Sequence, residues 1–179
     1  SSKKRSLIII IILRKIQSQN FDQTLKVRIM KQFDVYEEEF FVTTEQILSF
    51  SELTGDTNPI HLDPEYCEGT RFRTPIVPGM LISCIFSKIF STKFPGPGTI
   101  YREQYLKFSS PVYPGDKLIA RLEVDEIDEK EGQVTLKTTI KNGQIIAVEG
   151  SAKVFLAKVF ERPSKLKEKN LIIKNKEYK

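Results

Sequence analysis

Residues 76–90 read Ile76-Val77-Pro78-Gly79-Met80-Leu81-Ile82-Ser83-Cys84-Ile85-Phe86-Ser87-Lys88-Ile89-Phe90, with Lys88 the one charge in the stretch. Pro78-Gly79 opens a helix. From Met80 to Phe90 the helix is apolar nearly all round, the pattern of a buried helix. At eleven residues that run is too short to cross a bilayer, so a sheet is expected to wrap it. Ser83, Ser87 and Ser91 recur every four residues, and so small a face permits close approach of a strand or a ligand. Cys84, inside the apolar run, reads as a buried small hydrophobe.

Downstream of this helix the pattern changes to strands. Tyr101–Ser109, Lys117–Ile127, Gln133–Lys141 and Gln144–Lys158 are rich in β-branched and aromatic residues and alternate over long stretches. Turns separate them at Pro111–Asp116 and Asp128–Gly132, and Asn142-Gly143 has the composition of a two-residue hairpin loop. Upstream, Phe40-Phe41-Val42 is the first strand, reached through Val35-Tyr36. Thr43 and Gln46 stand at capping-box spacing before the apolar positions Ile47 and Phe50, and Gly55 ends that helix. Asp63-Pro64 opens a further short helix, running to about Gly69 and carrying Cys67. One early strand, a long buried helix and four antiparallel strands make an α+β fold in which a curled sheet surrounds a helix.

The segment between those two short helices carries the chemistry. In Gly55-Asp56-Thr57-Asn58-Pro59-Ile60-His61, an acid and the chain's single histidine lie five residues apart across a tight turn. Asp56 and His61 suit a general acid–base pair on one bound water. Gly79, at the start of the long helix, suits a backbone N–H aimed at a substrate oxygen, because the first amides of a helix have no partner within it. Asn58 suits a turn-holding role through its side-chain oxygen.

These segments resemble the MaoC-like, R-specific enoyl-thioester hydratase and dehydratase family of hotdog proteins. The pattern is met by Thr54, Gly55, Asp56, Asn58, Pro59, Ile60 and His61. It continues through Pro75–Leu81, Pro95–Tyr101, Leu106–Phe108 and Pro111–Asp116, so the resemblance covers about residues 33–158. One departure is Pro78, where family members often carry a histidine; the Gly79 N–H itself is unaffected. The resemblance implies a single hotdog domain and reversible hydration of trans-2-enoyl thioesters to (3R)-3-hydroxyacyl thioesters. It implies Asp56, His61 and Gly79 as catalytic residues, with Asn58, Ser87 and Met80 at the substrate. It further implies a homodimer and acyl groups carried on coenzyme A or acyl carrier protein.

Composition limits the alternatives. Residues 1–32 hold eight Lys/Arg against Asp22 alone (+7), and residues 158–179 hold eight against three acids (+5). With +5 overall, the stretch 33–157 carries −7, so the domain is acidic and any attraction to nucleic acid or membrane belongs to its extensions. No metal and no cofactor are expected, since one histidine leaves zinc without ligands and two cysteines make no disulfide framework. The first twenty residues are basic and acid-free, with Leu7–Leu13 apolar, which looks like a mitochondrial presequence rather than a membrane span. The expected organisation is a basic extension (1–32), a hotdog domain (33–160) and a basic tail (161–179), in a mitochondrial protein. A second reading takes the basic extensions as handles that hold an accessory subunit in a large mitochondrial assembly.

Overall fold

The computed structural model describes residues 30–128 and 131–156; the expected presequence and the basic tail fall outside them. Among the described residues five strands and four helices follow one another. They are β1 (Val35–Phe40), α1 (Thr44–Thr54), α2 (Pro59–Leu62), α3 (Pro64–Glu68), α4 (Gly79–Thr92), β2 (Thr99–Phe108), β3 (Leu118–Asp128), β4 (Gln133–Asn142) and β5 (Ile145–Leu156). The strands form one antiparallel sheet in the order β1-β3-β4-β5-β2. The fold reaches back to Met30, which packs against the core, while Gln32 donates to the Asp125 carbonyl at 2.9 Å.

Side-chain period decides how sheet and helix meet. Leu118, Ala120, Leu122 and Val124 of β3 alternate inward, as do Val134, Leu136, Thr138 and Ile140 of β4. The other face carries their charged and polar neighbours. Across this inward face lies α4, burying Ile82, Ile85, Phe86, Ile89 and Phe90 at the 3- and 4-residue spacing of one helical stripe. Each fully buried side chain of this kind contributes roughly 1.5–3 kcal/mol. Register shifts at Tyr101/Glu103, Val124/Glu126 and Ile140/Lys141 mark bulges that bend the sheet toward the helix.

Two expectations about the long helix are corrected here. It is buried on one stripe only, and Met80, Cys84, Ser87 and Ser91 on the other side are exposed. Cys84 is therefore a surface thiol, while Cys67 of the short helix is the buried one. A single sheet has one inner face, so a helix lying on it keeps the opposite stripe uncovered. The serines divide likewise: Ser83 is buried and donates to the Gly79 carbonyl at 3.0 Å, whereas Ser87 and Ser91 face outward.

The two sheet edges differ in kind. Strand β1 presents Glu37, Glu38 and Glu39, tied to Arg121, Lys88 and Lys117. Strand β2, ten residues long, exposes Ile100, Tyr101, Tyr105 and Phe108. The Tyr101 ring is only partly exposed, edge-on to Phe90, and desolvation on its covered side pushes the hydroxyl up to about 12, so it stays neutral and donates to Gln104 Oε1. No helix among the described residues is long and apolar enough to cross a membrane.

Candidate active site

The site is assembled from three loops at the ends of α1, α3 and β2. Thr43 caps α1 in a full capping box: its Oγ1 accepts from the Gln46 N–H and its own N–H donates to Gln46 Oε1. Gly55 ends α1 at φ 75°, a left-handed conformation that glycine adopts without a Cβ clash. The chain then enters the Asp56 turn. Ser51 Oγ donates to the Asp56 carbonyl at 2.6 Å, and Asp56 Oδ1 accepts from the Asn58 N–H at 3.3 Å.

Asn58 closes the turn. Its Oδ1 accepts from the Ile60 N–H and its carbonyl accepts from the His61 N–H at 3.0 Å, so residues 59–62 form the helical turn α2 where a plain loop was expected. That hydrogen bonding gives Asn58 its structural role and links Asp56 to His61 through one continuous turn. From below, the Cys67 thiol donates to the Ile60 carbonyl at 3.4 Å. Burial, and next the neighbouring Asp63, push that thiol up in pKa, so it remains a neutral filler and donor.

His61 is held by a residue far away in sequence. Its Nδ1 lies 2.8 Å from the Ile76 carbonyl, and the Ile76 N–H donates to the Ile60 carbonyl at 3.1 Å. A carbonyl only accepts, so Nδ1 carries the proton and neutral His61 presents its lone pair on Nε2. The same segment, braced by Val77 N–H to the Val112 carbonyl at 2.8 Å, leads into α4. Pro78 is the N-cap of that helix and no side chain caps it, so the Gly79 N–H remains a free helix-terminal donor among the described residues.

His61, Gly79 and Met80 line one cleft of about 350 Å³. Its apolar wall comes from Ile76, Val77, Ile82, Val112 and Val148, with Phe108 at its margin. A Cβ on Gly79 would meet the Phe108 ring at 2.7 Å, so the glycine is what lets that ring lie against the helix start. Asp56, Asn58 and Ser87 do not line this cleft: Asp56 is half-buried in the turn before α2, and Ser87 is exposed two turns along α4. Arg71, Phe72 and Phe108 line it unforeseen from the sequence, because none lies on a catalytic spacing or an apolar period. The first is in an exposed loop and the last at the end of a strand.

Comparison with known proteins shows which family the chain resembles and which fold it shares. A family model described as a MaoC like domain matches residues 21–144. The (R)-specific enoyl-CoA hydratase of Aeromonas caviae is 37% identical over 142 residues, covering 79% of this chain and 99% of that protein. The mitochondrial 3-hydroxyacyl-[acyl-carrier-protein] dehydratase of Arabidopsis thaliana is 30% identical over 142 residues, covering 77% of this chain and 84% of that one. A solved structure of the (R)-hydratase from A. caviae superposes with a TM-score of 0.70 at 35% identity, over 73% of this chain and 99% of that one.

Proposed function

The chain belongs to the MaoC-like dehydratase family, and we propose on that premise that it catalyses the reversible hydration of trans-2-enoyl thioesters to (3R)-3-hydroxyacyl thioesters. The observation that carries the reading is His61 with its Nδ1 proton committed to the Ile76 carbonyl, in one cleft with the free Gly79 N–H.

In the hydration direction a water oxygen bonds to C3 as one of its protons passes to the acid–base pair. His61 Nε2 has the lone pair for this, and on this reading Asp56, joined to His61 through the same turn, is the second acceptor. Negative charge grows on the thioester oxygen, where the Gly79 N–H and the helix N-terminus stabilise it. The proton taken from water is returned at C2, so the pair ends the cycle as it began. Dehydration runs the same steps backward. The apolar wall of Val77, Ile82, Val112 and Val148 accepts the acyl chain. Spectrophotometric loss of the enoyl thioester chromophore of crotonyl-CoA tests the reading; no loss with purified, folded protein on any enoyl thioester would reject it.

The working form on this reading is a homodimer joined through β2. That strand is an edge, its exposed aromatics adjoin the outward stripe of α4, and Tyr105 and Met80 are 64% and 59% exposed. An open edge ten residues long with so much apolar surface is what a second copy would cover, whereas the glutamates of β1 guard the other edge. Phe108 and Met80 belong both to that surface and to the cleft, so pairing would also wall the active site. Light scattering at micromolar concentration is expected to give twice the chain mass, and Tyr105→Glu to shift it toward the monomer. A monomeric wild type would contradict the arrangement.

We assign the activity to mitochondria, where the plant relatives from A. thaliana and Solanum lycopersicum are placed by name.

A further inference from the structure

Among the described residues Arg71 is the one cation lining the cleft, and the charge balance of the domain around it is negative. Among the described arginines, Arg102 and Arg121 are paired with Glu103, Glu37 and Glu123, and Arg73 donates to the Glu68 carbonyl. Arg71 alone of the four has neither an ion pair nor a hydrogen bond, and its guanidinium lies 4.7 Å from the centre of the Phe72 ring. The loop that displays it is fixed. Thr70 Oγ1 donates to the Cys67 carbonyl at 2.8 Å and accepts from the Phe72 N–H at 3.1 Å. The Tyr113 hydroxyl donates to the Phe72 carbonyl at 3.3 Å. Arg73 is held at φ 66°, a left-handed backbone that its own bond to Glu68 helps to hold.

A fixed loop and a guanidinium over an aromatic ring, with no hydrogen-bond or ion-pair partner among the described residues, together describe an anion site on the cleft lining. The acidic domain makes the need for one concrete. A substrate bearing phosphate is repelled by a net charge of −7 over residues 33–157 unless a cation stands where its phosphate passes. We propose that Arg71 grips a phosphate of the thioester's carrier arm and so makes the enzyme prefer phosphorylated thioesters over phosphate-free ones. The inference rests on the thioester reading of the cleft. The shared chemistry is a phosphate ester, supplied either by the pantetheine arm, which coenzyme A and acyl carrier protein have in common, or by the nucleotide end of coenzyme A.

The test compares kcat/KM for the crotonyl group on four carriers: N-acetylcysteamine, pantetheine 4′-phosphate, coenzyme A and acyl carrier protein. In wild type the phosphorylated carriers are favoured, and the preference falls as salt rises. In Arg71→Gln the ratio of each phosphorylated carrier to N-acetylcysteamine is expected to fall about tenfold, carried by KM. Arg71→Lys is expected to recover part of it. A fall with pantetheine 4′-phosphate and the carrier protein assigns the pantetheine phosphate, and a fall with coenzyme A alone assigns the nucleotide end. An unchanged ratio in an active Arg71→Gln enzyme overturns the assignment and leaves the hydratase reading standing. A wild type inactive on all four carriers takes down both.

Discussion

Replacing His61 by alanine is expected to lower kcat/KM for enoyl-thioester hydration at least about a hundredfold, and Asp56→Asn to do the same. Removal of a positioned acid–base group costs about 10²–10⁴ in rate. His61 is the only histidine of the chain, and no other ring nitrogen can take over its lone pair in the cleft. The fold is expected to survive. The alanine variant loses the bond from Nδ1 to the Ile76 carbonyl, about 1 kcal/mol, while the Ile76 N–H still donates to the Ile60 carbonyl and the Cys67 thiol still supports the turn. In Asp56→Asn the side-chain oxygen still accepts from the Asn58 N–H, so the turn keeps its geometry and loses its charge. Circular dichroism melting beside the hydration assay separates the two effects. Either variant folded and near wild-type in turnover would sink the mechanism.

The largest structural effect is expected from Gly150→Ala. Gly150 lies in β5, opposite Leu106 of β2 and Thr138 of β4. A Cβ there would sit 1.9 Å from the Tyr105 carbonyl oxygen, 2.9 Å from its carbon and 3.3 Å from the Leu106 Cα. All three are backbone atoms, so no rotamer change relieves the overlap and the edge strand itself must move. Overpacking of this kind costs about 1–3 kcal/mol, and here the upper end is expected. The movement also displaces Phe108 and Ser109, which line the cleft, and the strand proposed to join the two copies. Urea denaturation is expected to show a lower midpoint, and activity and dimer mass are expected to fall together. Gly69→Ala is the control: its φ is −77° and its Cβ would meet nothing nearer than the Tyr66 carbonyl at 3.6 Å. Equal midpoints for the two variants would mean that β2 does not approach β5 as described.

The parts of the fold legible in the sequence are those closed by bonds a few residues long. The Thr43–Gln46 capping box, the Gly55 stop and the Asp63-Pro64 start each involve partners within four residues, and each is found where expected. The four late strands follow from alternation, and their limits move by only one or two residues within the described chain. The β4–β5 hairpin loop is shifted by one residue from its expected place. Asn142 still pairs with Ile145, and the loop is Gly143-Gln144, with Gly143 at φ 58° in the first central position that a type II′ turn reserves for glycine. Dipeptide chemistry announces a turn but does not set which residue leaves the ladder first.

The candidate site divides along the same line. The sequence by itself determined that an acid and a histidine share one turn and that a glycine starts the long helix, because those are local facts of spacing and composition. Only the tertiary structure decided that His61 keeps its proton on Nδ1, because the carbonyl that requires it belongs to Ile76, fifteen residues away. It alone decided that Cys84 is exposed and Cys67 buried, since an apolar run does not say how many of its faces a single sheet can cover. The place of Arg71 in the cleft, and of Phe108 against Gly79, was likewise set by packing between segments that no periodicity connects. Local hydrogen bonds leave a mark in neighbouring residues, whereas contacts between distant segments depend on how the whole core closes.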